Sequence, residues 1–308
     1  MKNLELPTTG LDAQKRSPPT FPRIRFYEAC LKTALELYRA RYEAKLLASV
    51  RDQEVVEGIT DRPSVFHGFE RDPLSRINDI VVEDLGWHIT HNDDLPEVSP
   101  EDRIIYIVNH PTLTASFAWA HFMGEHFAEN EVAVGKDQII KNPFYRFIIG
   151  ELMQMAEKGI FINRDDRSEA LSTIEDASMR LLTPGTGAII MADAHRPYPS
   201  RLRKETARWS KKFPDLDVES WMKRTCFPRS GGLWTISQST SELPNVRFFD
   251  CTVVEPEVTH EYGGHMHIDV REISRIELLG EPENLEHLQG KLVEMWKRKG
   301  TIIEEIRT

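Results

Sequence analysis

The sequence has few cysteines, no long apolar run and no excess of positive charge. Its three cysteines are an odd number at wide spacing without a CxxC pair, which excludes a disulfide framework and fits a reducing compartment. No segment approaches the roughly 18–20 apolar residues of a membrane span. Residues 1–22 are polar and lack the apolar centre of a signal peptide. We therefore expect a cytoplasmic protein that is soluble or peripherally attached to a membrane.

The charge is negative overall and uneven along the chain. A net charge of −10 argues against nucleic acid as a partner, because non-specific nucleic-acid binding needs a broadly basic surface. Residues 1–48 nevertheless carry nine Lys/Arg against five acids, and residues 195–229 carry ten against four. These two segments indicate localised contact with anions. Solvated helix faces explain any single one of these charges equally well.

Several well-known catalytic and metal signatures are also missing. The chain has no GxSxG elbow, no Walker loop and no GxGxxG. His260-Glu261…His265 resembles a zinc-binding helix, but its histidines are five residues apart with two glycines between them, whereas HExxH needs a spacing of four. We interpret His265 and His267 as exposed residues on one face of a strand and predict neither a metal site nor a cofactor.

The chain divides into three parts on its pattern. Residues 1–22 are predicted to be a disordered lead, residues 23–52 an amphipathic helix, and residues 53–308 a single α/β domain. The apolar stripe of the helix is formed by Tyr27, Leu31, Leu35, Tyr38, Tyr42 and Leu46. A basic amphipathic helix of this kind can lie in a membrane interface or pack its stripe on the domain. The sequence slightly favours packing of the stripe on the domain.

Strand and helix patterns alternate through the predicted domain. This alternation predicts a mainly parallel mixed sheet flanked by helices. The predicted strands are 79–82, 86–90, 103–108, 132–134, 159–163, 187–192, 246–254 and 265–273. The predicted helices are 113–127, 143–155, 168–182 and a closing helix from about 285.

Four polar segments follow apolar strands and can therefore meet at one edge of a parallel sheet. They supply Asn109 and His110, Lys136, Arg164, and Asp193 with Arg196. Histidine is suited to general base catalysis near neutral pH, and arginine binds phosphate in a bidentate manner. This set of residues suits a phosphate ester that carries a reactive hydroxyl.

These segments resemble the blocks of the glycerolipid acyltransferases, the lysophosphatidate and lysophospholipid acyltransferase family. Asn109-His110 resembles the start of the NHxxxxD motif. Gly159–Arg164 resembles the block whose arginine holds the acceptor phosphate, and Met191–Arg196 stands in the place of FPEGTR. Further likeness is found to LPRTKG at Cys226–Gly232, to YDCT at Phe249–Thr252, and to the C-terminal tail of the family's eukaryotic-type branch at Trp296…Glu304-Glu305. The resemblance covers roughly residues 100–305.

The chain departs from the family at its catalytic dyad. The Asp that holds the imidazole in the family falls at Ala115 here, and FPEGTR is replaced by MADAHR, in which only Arg196 is retained. Loss of an orienting carboxylate can cost several powers of ten in rate. Family geometry makes Asp193 the nearest substitute.

The resemblance implies an acyltransferase with His110 and Asp193 as catalytic residues. His110 would activate the hydroxyl of a lysophospholipid or glycerol phosphate toward acyl-CoA or acyl-carrier protein. Lys136, Arg164, Arg196 and Asn109 would bind the substrate. The alternatives are a lipid-binding or regulatory relative without catalysis and a divergent enzyme acting on a different acceptor. Because the acceptors reside in bilayers, we expect contact with a membrane surface, through residues 23–52 or through the basic insertion Arg201–Lys212 with Trp209.

Overall fold

The computed structural model describes residues 86–110, 113–127, 130–136, 159–162, 166–180, 183–193, 197–255 and 264–307, with isolated positions 28, 32, 35, 36, 38, 39, 79, 80, 82, 83 and 141. Seven strands form one sheet in the order β1-β7-β6-β2-β5-β3-β4. The strands are β1 (His88–His91), β2 (Arg103–Val108), β3 (Asn130–Lys136), β4 (Gly159–Ile162), β5 (Thr186–Met191), β6 (Val246–Val254) and β7 (His265–Ile273).

The sheet is mainly parallel, as the strand-helix alternation predicts. β6, β2, β5, β3 and β4 run in one direction, with registers such as Tyr106 opposite Ile189 and Val108 opposite Cys251. β7 is antiparallel to β6, and β1 is parallel to β7, so these two strands at one end of the sheet run the opposite way. The predicted class, a mainly parallel mixed α/β sheet flanked by helices, is confirmed.

Seven helices are described. They are α1 (Leu113–His126), α2 (Arg167–Arg180), α3 (Pro199–Lys212), α4 (Val218–Trp221), α5 (Gly231–Ser239), α6 (Arg275–Leu279) and α7 (Leu285–Arg307). No helix within the described part of the chain is long and apolar enough to cross a bilayer. The predicted helix over 143–155 and the tip of the strand at 163 lie outside the described residues.

Alternation along β2 creates a core on each face of the sheet. Ile105 and Ile107 contribute to one core with side chains of α2, α5 and α7, whereas Tyr106 and Val108 contribute to the other with Trp119 of α1. All six residues of β2 are buried. The apolar run before Asn109 therefore forms a central strand, as covered parallel sheets require.

Three expectations fail in the structure. Positions 79, 80 and 82, expected to form part of a strand over 79–82, are helical. Trp209, considered as an anchor in a membrane interface, is 8% exposed and belongs to the core. In the N-terminal segment, positions 35 and 38 are helical, but Leu35 and Tyr38 are 61% and 74% exposed, which disagrees with packing of the stripe at these two residues.

Candidate active site

The carboxyl ends of β6, β2, β5, β3 and β4 meet at one edge of the sheet. Ligand sites of open α/β sheets lie at this edge. Asn109 and His110 follow β2 directly, Asp193 follows the neighbouring β5, and Lys136 is the last residue of β3, opposite Ile162 of β4. The structure thus places four of the six predicted site residues at one edge.

Asn109 continues the pairing of β2 with β6 beyond the point where the backbone pairing ends. Its Nδ2 donates to the carbonyl of Val253 at 2.9 Å, and its Oδ1 accepts from the N–H of Val253 at 2.8 Å. Both residues are buried. The side-chain amide therefore replaces a backbone pairing and fixes the chain one residue before His110.

The residue that follows β1, at the other end of the sheet, makes the same two side-chain bonds to a neighbouring strand. Asn92 donates to the carbonyl of Val270 at 3.1 Å and accepts from its N–H at 2.8 Å. Asn92 comes directly after β1, as Asn109 comes directly after β2. The two asparagines provide a natural comparison, because the predicted catalytic edge contains only Asn109.

Asp193 holds the chain at His110. Its Oδ2 accepts a hydrogen bond of 3.0 Å from the backbone N–H of His110, and Asp193 is 1% exposed. The two residues are 83 positions apart and meet because β2 and β5 are neighbours. The predicted proximity of Asp193 to the histidine is found, through a bond to the main chain of His110.

Ala115 occupies the position of the family's motif aspartate. It is fully buried in α1 and belongs to the core on that face, together with Val108 and Trp119. A carboxylate here would replace a small apolar side chain of this core, where an unpaired charge is costly. The described surroundings of Ala115 therefore suit the small apolar residue that the chain has.

The segment that follows α4 also meets the end of β5. Arg229 donates its backbone N–H to the carbonyl of Ala192 at 2.8 Å, one residue before Asp193. Burial, reinforced by the negative charges of Asp193 and Glu205, raises the pKa of the Cys226 thiol to about 12. This thiol is therefore protonated at neutral pH and unsuited to act as a nucleophile.

A buried lysine that the sequence analysis missed connects α7 to the same strands. Lys299 is fully buried, and its Nζ donates to the carbonyls of Ile107, at 3.3 Å, and Cys251, and forms an ion pair with Asp250. Arg298 adds a bond of 2.8 Å to the other oxygen of Asp250. The sequence feature that points to it is a lysine within the apolar face that Met295, Trp296 and Ile303 give to the closing helix.

Of the three cations predicted to bind substrate, the structure describes one. Lys136 has its backbone at the predicted edge, at the end of β3. Arg164 and Arg196 lie outside the described residues, so their roles stay predictions. His265 is exposed, as expected, whereas His267, also expected to be exposed, is half-buried; Met266 and Ile268 are buried on the opposite face. Burial lowers the pKa of His267 below its ordinary value.

Comparison with known proteins gives one structural likeness to report. The chain is similar to the crystal structure of the 1-acyl-sn-glycerophosphate (LPA) acyltransferase PlsC from Thermotoga maritima, with a TM-score of 0.47 and 12% sequence identity. The match covers 91% of this chain and 98% of that chain. No family profile matches the sequence, and no curated protein matches it either. The functional conclusion therefore depends on the residues of the site.

Proposed function

We propose that this protein is an acyltransferase that moves a fatty acyl group from acyl-CoA or acyl-carrier protein to the hydroxyl of a lysophospholipid or glycerol phosphate. The observation that carries the proposal is the bond between the backbone of His110 and the buried carboxylate of Asp193 at the carboxyl edge of the sheet. It joins the two segments that resemble the catalytic blocks of the family. The protein would act in the cytoplasm, peripherally at a membrane.

In the proposed reaction His110 is the general base. Its imidazole removes the proton of the acceptor hydroxyl, and the resulting oxygen attacks the thioester carbonyl of the donor. The tetrahedral intermediate collapses with cleavage of the carbon–sulfur bond, and the imidazolium returns its proton to the departing thiolate. Backbone N–H groups near the start of α1 would stabilise the oxyanion. The thioester supplies the activated acyl group, so the reaction needs no further cofactor.

The other site residues take supporting roles in this proposal. Arg164 and Lys136 bind the acceptor phosphate, and Arg196 shapes its site together with Asp193. The two bonds of Asn109 to Val253 favour a positioning role for it over direct substrate binding. Asp193 likewise positions the main chain of His110.

One observation favours a second candidate, a lipid-binding or regulatory relative without catalysis. The position of the family's motif aspartate holds Ala115, which is packed in the core. Such a relative would retain lysolipid binding at the same edge and lack acyl transfer.

Labelled acyl transfer discriminates the two candidates. Purified protein is incubated with labelled acyl-CoA or acyl-carrier protein and a panel of lysophospholipids and glycerol phosphate. We expect His110→Ala to lower kcat/KM by about 10²–10⁴-fold, the usual contribution of a general base. His88→Ala removes an exposed histidine from β1 and is expected to retain activity. Lysolipid binding without transfer above the His110→Ala background would contradict the enzyme and favour the relative.

A further inference from the structure

The helix α3 has one face fixed in the core. Trp209 stacks on Phe227 with ring centroids 4.0 Å apart and on Phe213 at 5.7 Å. The carboxylate of Glu205 is buried beside it and accepts a bond of 2.8 Å from the indole N–H. This packing fixes which side of α3 faces solvent.

The exposed charges of α3 are all positive. Six exposed cations lie on its outer face, and the helix has a single acid, the buried Glu205. The cations are Arg201, Arg203, Lys204, Arg208, Lys211 and Lys212.

Contacts within the protein explain only part of this charge. Arg201 is 3.9 Å from Glu205, while Arg208 and Lys212 lie 5.2 Å and 4.9 Å from the centroid of the Trp209 ring. The other three cations, Arg203, Lys204 and Lys211, have no hydrogen bond, ion pair or ring contact in the described part of the chain.

Helix stability does not explain the charge either. A cation in the first turn, such as Arg201, opposes the helix dipole, and only Lys211 and Lys212 in the last turn complement it. Lys204 and Arg208 are four residues apart, as are Arg208 and Lys212, and like charges at this spacing destabilise a helix. The outer face of α3 therefore contains repulsion that an external anion would relieve.

The helix also lies close to the candidate active site. The charges of Asp193, Glu205 and Arg201 all act on the Cys226 thiol, and Arg229 is bonded to Ala192 at the end of β5. A surface bound to α3 would consequently be near the edge of the sheet that holds His110.

We infer that the outer face of α3 docks the protein on an anionic lipid bilayer. Clusters of four to eight Lys/Arg on an amphipathic helix suit anionic headgroups. A stable protein interface usually needs a buried aromatic or apolar anchor, and the aromatic residue of this helix, Trp209, is already buried in the core. On a chain of net charge −10, a cationic face also favours one orientation of the described residues toward an anionic membrane. The inference rests on the proposed function for its lipid substrate, but its test measures binding alone.

The test is co-sedimentation of the full chain with vesicles of phosphatidylcholine, alone or with about 30 mol% phosphatidylglycerol. We expect partitioning to depend on the anionic lipid and to weaken with added salt. Lys204→Gln combined with Lys211→Gln should weaken it about 25-fold, because each cation near such a surface contributes about fivefold.

Two control variants separate charge from other effects. Lys204→Arg with Lys211→Arg retains the charge and should retain binding. Lys297→Gln removes an exposed lysine of α7 and should change partitioning by less than about twofold. The free energies of unfolding of all variants should agree to within about 0.5 kcal/mol, since these side chains are exposed and the relief of repulsion between like charges is no larger than this.

Three results distinguish the docking surface on α3 from the proposed acyl transfer. Equal partitioning of wild type and the Lys→Gln double variant would overturn the docking surface. Binding of an acidic carrier protein that depends on these lysines, without binding to anionic vesicles, would overturn it in favour of a protein partner. His110→Ala should bind vesicles like wild type, so a failure of the proposed catalysis leaves this result unaffected.

Discussion

Replacing Asn109 by alanine tests whether the side-chain amide positions His110. The substitution removes the two bonds to Val253 and leaves a buried N–H and a buried carbonyl without their partner. A buried group left unsatisfied costs about 1–3 kcal/mol, so for two such groups we expect the free energy of unfolding to fall by about 2–6 kcal/mol. At about 3 °C per kcal/mol for a domain of this size, Tm should fall by about 6–18 °C.

The matched control is Asn92→Ala, because Asn92 makes the same two bonds to the backbone of Val270 that Asn109 makes to the backbone of Val253. Both variants should be less stable in urea unfolding, with the smaller loss for Asn92→Ala because its bonds are only partly buried. Measured well below Tm, kcat/KM for acyl transfer should fall about 10–100-fold in Asn109→Ala, since misplacement of a catalytic group by about 1 Å has an effect of this order. It should be unchanged in Asn92→Ala. A loss of stability below about 0.5 kcal/mol in Asn109→Ala, or equal losses of activity in both variants, would refute the reasoning.

Two further predictions concern charged groups away from the reacting atoms. Lys299→Met leaves the buried Asp250 without its lysine partner and should lower the free energy of unfolding by about 3–5 kcal/mol in urea titrations; adding Asp250→Asn should restore part of the loss. Hydrogen bonds from Arg247 lower the pKa of Glu272 below its ordinary value of 4.5. Because the folded-state pKa is depressed, this stabilisation is present above pH 4.5 and is lost as the pH falls through the folded-state pKa. The stability difference between wild type and Glu272→Gln, at most about 1 kcal/mol, should therefore vanish in acid, and a difference that persists would contradict this origin.

The sequence was sufficient to predict the central strands and the position of His110. The run from Ile104 to Val108 is apolar throughout and ends at a polar pair, which is typical of a buried parallel strand reaching the sheet edge. The same kind of apolar run gave a wrong prediction of a strand at positions 79–82. Asp-Ile-Val-Val has local strand preference, but a short apolar run does not distinguish strand from helix, and here Asp79 is held by His121 of α1.

Other features depend on contacts that periodicity cannot reveal. The sequence of α3 predicts only a basic insertion, because its exposed cations outnumber the few residues that face the core, such as Trp209. The role of Asn109 required Val253 to be known as its partner, 144 positions away. Lys299 likewise reaches Ile107 across 192 positions. Such contacts are determined by strand order, which the sequence pattern leaves open.

These sequence separations have a consequence for how the protein folds. His110 is positioned only when β2 has been joined by β5 on one side and by β6 on the other, through contacts that span 83 and 144 residues. Closing such long loops is slow, and proteins rich in distant contacts fold more slowly than those built from local ones. The candidate site therefore forms late, after the central strands have assembled, and a fragment that carries the histidine block alone would have no site.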